Sequence, residues 1–145
     1  LFRPRVLGVD ILPDALRQAR ALARAAGGAP ERLTLRRADL TDAHVVGDLL
    51  RPRRFRVIMC FRYLDRALLP VIAGALGRGG WVIYQTFLED QARAGRRPTR
   101  SAFLLKPGEL RAAFESADGI EIVHYTEGPD ARGDHLASLV GRTTG

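Results

Sequence analysis

Apolar positions in this chain come in short runs that switch between two periods. Val6, Leu7, Gly8 and Val9 form an unbroken run that ends on Asp10, the pattern of a parallel strand covered on both faces. Pro13 then opens a helix in which Ala15, Leu16, Ala19, Leu22, Ala23 and Ala26 recur at spacings of three and four, giving one inward stripe. Gly27 and Gly28 stop it. A second strand over 32–38 sets Leu33 and Leu35 on one face and closes on Asp39. Val45, Val46, Leu49 and Leu50 predict a short helix that Pro52 ends. Phe55–Phe61 is a third strand with Val57, Ile58, Met59 and Cys60 in sequence. A helix over 65–76 carries Leu68, Leu69, Ile72, Ala73 and Leu76, and Gly77, Gly79 and Gly80 separate it from a strand over 81–87.

Strands alternating with helices predict a parallel sheet with crossover helices. Residues 88–105 show little periodicity and contain Gly95 and Pro98, so they read as a long loop, of a length at which loops are commonly functional lids. A helix over 107–116 turns Leu110, Ala113 and Phe114 inward. Strands over 120–126 and 135–141 follow, joined by only eight residues, 127–134. A parallel crossover needs a dozen or more, so these two strands are antiparallel neighbours. The expected fold class is α/β: a Rossmann-like, mostly parallel sheet with a C-terminal antiparallel strand pair, in one domain over 1–145.

Composition narrows this picture. Hydrophobic residues at 46% and charged residues at 27% fit a globular protein. No apolar run nears the roughly 20 residues of a membrane-spanning helix, and the expected setting is cytoplasmic. The start, residues 1–5, has neither Met nor an apolar leader and reads as a cut or mis-started chain. Cys60 is the only cysteine, which excludes an internal disulfide and a cysteine-based zinc site. Its apolar strand suits a buried, inert thiol, with a reactive one as the alternative. His44, His124 and His135 are scattered, and no trio of His, Asp or Glu has metal-ligand spacing, so no metal is expected. The net charge of +7 comes from 23 basic and 16 acidic residues. Two arginine clusters stand out: Arg51, Arg53, Arg54 and Arg56, then Arg93, Arg96, Arg97 and Arg100. They are solvated faces or a surface for an anionic partner. Nucleic acid is possible but not favoured, because aromatic residues are nearly absent from both.

The candidate chemistry lies at the strand ends. An ionised carboxylate only accepts hydrogen bonds and can take both hydroxyls of a ribose, so Asp10 after its strand is a nucleotide-gripping candidate. The alternative is that it simply caps the following helix. Asp39 is either a second ligand-facing acid or a turn residue ahead of Thr41 and Asp42.

Several stretches together resemble the class I S-adenosylmethionine-dependent methyltransferases, in a bacterial subgroup akin to the tellurite-resistance type. They are Gly8, Val9, Asp10, Ile11 with Pro13; Ala38, Asp39, Leu40; Phe61, Arg62, Tyr63, Leu64, Asp65, Arg66; Gly79, Gly80 with Tyr84, Gln85, Thr86, Phe87; and the run from Phe103 through Lys106 and Pro107 to Leu110. The resemblance implies S-adenosylmethionine as cofactor and a small-molecule methyl acceptor. Asp10 with Ile11 would meet the ribose, Asp39 with Leu40 the adenine, and Cys60 and Phe61 the methionine part. Tyr63 and Asp65 would face the transferred methyl or the acceptor, with Glu89 another candidate base. It also implies that the family's first strand and glycine-rich loop are missing, which would leave the strands at Val6–Asp10 and Phe55–Phe61 each with an unpaired edge and the 145 residues poorly stable. Leu12 replaces the usual small hydroxyl residue ahead of the helix proline, Arg78 stands where the subgroup often has Pro, and Gln85 where it often has Glu. Two other readings remain: a nicotinamide-dependent oxidoreductase, whose second strand also ends on an acid, and a degenerate methyltransferase-like module that binds partners through arginine.

Overall fold

The computed structural model describes residues 4–28, 30–52, 54–117 and 119–145. Residues 1–3, part of the start read above as cut or mis-started, and Arg53 of the first arginine cluster lie outside them. The chain divides into two compact units, Leu1–Asp48 and Leu49–Gly145.

In the first unit, β1 (Val6–Asp10) and β2 (Leu33–Arg37) pair in parallel, with Val6 opposite Leu33 and Asp10 opposite Arg37. They are connected by α1 (Pro13–Ala25). Pro13 occupies the first turn, where its missing N–H costs nothing. Leu12 offers no side-chain cap, as its replacement of a hydroxyl residue predicts. At the other end Gly27, at φ 65°, donates to the Arg24 carbonyl, and Gly28 donates to that of Ala23. These two bonds close a Schellman turn.

Two expectations for this unit fail. Val6 is 49% and Leu7 37% exposed, so β1 is not covered on both faces, and Leu22 of the supposed inward stripe is 70% exposed. Two strands and two helices have too little surface to bury both faces of a sheet. Half-burial therefore falls to Ala15, Leu16, Ala19 and Ala23. α2 (Ala43–Leu49), capped by the Asp42 carboxylate, buries Val46 and Leu49.

The second unit is a four-stranded sheet in the order β3-β4-β6-β5. β3 (Phe55–Phe61) is parallel to β4 (Leu76–Phe87). β6 (His135–Thr143) is antiparallel to both β4 and β5 (Ile120–Pro129), so the closing pair has the predicted sense. α3 (Leu68–Ala75) packs on β4, and α5 (Glu109–Glu115) packs on α3, β5 and β6. Beneath them lies a core of Ile72, Val82, Tyr84, Leu105, Leu110, Phe114 and Leu139. Cys60 is half-buried, on the same face of the sheet as its partner Tyr84. Val57, Met59 and Phe61 point the other way and are 49%, 60% and 54% exposed. The consecutive apolar run thus reflects one covered face and one open one.

Two local expectations also change. The glycines after α3 do not separate helix from strand but lie inside β4, where Leu76 pairs with Phe55 and the register then shifts to Val57 opposite Trp81. Gly79 sits at φ 63°, and a Cβ on Gly80 would fall 2.8 Å from the Gly77 carbonyl oxygen. The 88–105 segment, read as a loop, contains α4 (Asp90–Arg93) and a 3-10 turn at Ser101–Phe103. A parallel bridge between Leu88 and Leu105, both buried, closes its base. Its apolar contacts are with distant residues such as Leu136, which no local period reveals.

Candidate functional site

Parallel strands lead their side chains to one C-terminal edge, where α/β folds bind ligands. In the first unit that edge brings together Asp10, Ile11, Asp39 and Leu40. The Ala38 N–H extends the β1–β2 ladder by donating to the Asp10 carbonyl at 3.1 Å, so Asp39 follows immediately beside the end of β1. Asp10 Oδ1 accepts the Leu12 N–H at 2.8 Å, the backbone turn that leads into α1. Arg37 Nε donates to the Ile11 carbonyl at 3.0 Å and fixes that turn against β2. Asp39 Oδ1 accepts both the Thr41 hydroxyl at 2.6 Å and the Thr41 N–H at 2.9 Å. The hydroxyl bond, aided by the N–H, lowers the Asp39 pKa below its ordinary value. Each acid thus spends one oxygen on local structure, and the other has no protein donor among the described residues. Ile11 stands 50% exposed beside them.

In the second unit Cys60, Phe61, Tyr63 and Asp65 follow one another through the turn that leaves β3. Arg62 in this turn takes φ 56°, a left-handed conformation rare for a residue with a side chain. Its N–H donates to the Gln85 carbonyl at 2.7 Å, and its guanidinium lies 5.0 Å from the Phe87 ring centroid. The turn is held from below by the Tyr84 hydroxyl, which donates to the Tyr63 carbonyl at 2.6 Å. Burial pushes the pKa of the Cys60 thiol above its ordinary value. Asp65 uses Oδ1 to accept the Ala67 N–H at 3.0 Å ahead of α3. Glu89 pairs with Arg93 at 2.8 Å.

Above this turn lies a cavity of about 350 Å³. Arg62, Tyr63 and Leu64 line it after β3, Thr86 and Phe87 at the end of β4, and Pro98 and Phe103 from the 88–105 segment. A second cavity, of about 430 Å³, shares Pro98 and Phe103 and adds Arg97, Thr99 and Arg100.

Two supports of this region escape sequence reasoning. Arg66 donates from Nε to Glu109 at 2.5 Å and from its terminal nitrogens to the Leu104 and Ala102 carbonyls, tying two of the quoted motifs together. Asp134 accepts from Gln91, Arg96 and Arg62 at 2.9, 3.0 and 3.1 Å. Gln91 is fully buried and also donates to the Arg97 carbonyl while accepting the His135 N–H. These partners lie up to 72 residues apart, beyond any spacing signal. His124 is exposed on β5, and no group of three or more His, Cys, Asp or Glu forms a metal cluster among the described residues.

No protein-family model matches the chain, and no curated protein matches it in sequence. Solved structures do match. An S-adenosylmethionine-dependent methyltransferase from Mesorhizobium loti superposes with a TM-score of 0.66 at 20% identity over 95% of this chain and 80% of its own. TehB from Haemophilus influenzae gives 0.67 at 11% identity, over 97% of this chain and 50% of that one. The [4+2]-cyclase SpnF gives 0.67 at 12%, over 97% and 66%. The chain therefore spans between half and four-fifths of the length of these structures. Agreement over nearly all of its residues establishes that the chain has the fold of the class I S-adenosylmethionine-dependent methyltransferases.

Proposed function

We propose that the chain belongs to an enzyme that transfers a methyl group from S-adenosylmethionine to a small-molecule acceptor. The observation that carries this reading is the pair of acids, Asp10 and Asp39, side by side past the ends of parallel strands in a chain of this fold. An adenosine presents two vicinal hydroxyls and an amino group, all able to donate, and each acid keeps one carboxylate oxygen without a protein donor among the described residues. These acceptors therefore fit the nucleoside's donors.

In the first unit this reading assigns the ribose to Asp10 with Ile11 and the adenine to Asp39 with Leu40. In the second it assigns the methionine part to Cys60 and Phe61 and the acceptor to Tyr63 and Asp65. When bound, S-adenosylmethionine supplies a methyl on a sulfonium whose leaving group is a neutral thioether. The protein's task is then alignment, which contributes up to about 7–11 kcal/mol in favourable cases. The turn at Arg62, braced by Tyr84 and Gln85, suits that task because it is fixed before the acceptor arrives. The 88–105 segment would cover the acceptor, held at its base by Leu88 and Leu105. Of Tyr63, Asp65 and Glu89, Tyr63 is the one that lines the cavity. A reducing, cytoplasmic setting fits the single cysteine. No helix is long and apolar enough to cross a membrane among the described residues.

Calorimetric titration with S-adenosylmethionine and with NAD tests the reading. We expect saturable binding of the first only, weakened about tenfold or more in Asp10→Ala, the usual loss for a charged hydrogen-bonding partner. Unchanged affinity in that variant, or preference for NAD, would reject it.

A further inference from the structure

The second arginine cluster divides by partner. Arg93 is paired with Glu89 and Asp90, and Arg96 with Asp134. Arg97 and Arg100 have no carboxylate partner among the described residues, and these are the two that line the 430 Å³ cavity. Arg62 at the neighbouring cavity is paired with Asp134, and Arg66 with Glu109. The arginines with no carboxylate partner among the described residues therefore lie at one end of the paired cavities, while Arg62 at the other shares Asp134 with Arg96. The other end is mixed: buried Leu64 and Phe87 line it together with Arg62, Tyr63 and Thr86, and Phe103, 45% exposed, lies between the two with the Arg100 guanidinium 5.6 Å from its ring centroid.

A site walled in part by Leu64, Phe87 and Phe103, next to two guanidiniums without a carboxylate partner among the described residues, has a specific complement. The geometry points to an organic acid as the occupant: an aromatic or other apolar body seated between Phe87, Leu64 and Phe103, with its carboxylate taken by Arg97 and Arg100. Guanidinium and carboxylate match as planar two-point partners. Each cavity is within the size range, roughly 300–1,000 Å³, of small-molecule sites. As a statement about the methyl acceptor this rests on the function proposed above, while the binding itself does not.

The test is binding of benzoate and of its neutral isostere benzamide to the 145-residue chain, followed by calorimetry or ligand-observed NMR, with S-adenosylmethionine titrated separately into the same sample. Benzoate should bind at least about tenfold more tightly than benzamide, and inorganic phosphate, which lacks the apolar body, more weakly than benzoate. Arg97→Gln and Arg100→Gln should each reduce benzoate affinity by about tenfold and leave that of benzamide unchanged. Both side chains are exposed, so the melting temperature should stay at the parent value. Asp10→Ala should not affect benzoate. Equal binding of benzoate and benzamide, no binding of either, or benzoate affinity indifferent to both arginine variants would overturn the inference. Loss of S-adenosylmethionine binding with benzoate binding intact would instead count against the proposed function alone.

Discussion

Asp134 shows how much one side chain can organise. Its carboxylate joins the turn after β3, through Arg62, to the 88–105 segment, through Gln91 and Arg96. The Gln91 amide and the two guanidiniums hold its pKa down, at about 2. A carboxyl depressed by folding stabilises the folded state above its ordinary pKa, near 4, and loses that contribution as pH falls toward 2. Asp134→Asn should therefore flatten the fall in melting temperature between pH 4 and pH 2. At neutral pH it should also speed amide exchange in 88–105. An unchanged acid limb would show that these bonds do not couple to folding. Asp134 was not legible in the sequence, since an acid after a glycine in a polar loop looks like any turn residue. That Asp10 and Asp39 stand at strand ends was legible from the strand-forming residues before each: Asp10 closes β1, and Asp39 lies two residues past β2.

At the scale of elements, the run through β4 carries the most information. Gly80 lets β4 approach β3 where the register shifts, and its N–H is bound by the Thr143 hydroxyl, which in turn donates to Gly77. Because the obstacle to a Cβ is a backbone oxygen rather than a flexible side chain, Gly80→Ala forces the strand itself to move. We expect a loss of roughly 1–3 kcal/mol in urea denaturation, the scale of a strained core substitution. Gly74→Ala, in a helix with open space at the Cβ, should cost nothing. Equal effects would remove the steric argument. The alternation of strands and helices could be read from periodicity, and so could the antiparallel closing pair, from the short 127–134 link. The bulge could not, because three glycines near a helix end signal a break whichever element contains them.

For the molecule as a whole, element types were easier to foresee than burial. A hydrophobic run tells which residues can be covered, whereas cover itself depends on what else packs there. β1 and β3 each have one strand neighbour and one edge without a partner among the described residues. On β3 that edge adjoins the open face carrying Val57, Met59 and Phe61. In colloidal terms these form a sticky strip, kept dispersed by a net charge of +7. Salt shortens the reach of that repulsion to about 10 Å at 0.1 M and leaves apolar attraction intact. Light scattering of the chain should therefore rise with sodium chloride, and Met59→Glu should suppress the rise. The benzoate affinity inferred for Arg97 and Arg100 should fall over the same salt range. One protein would then grow stickier toward itself as it loses hold of its anion, and solution conditions would decide which surface is in use.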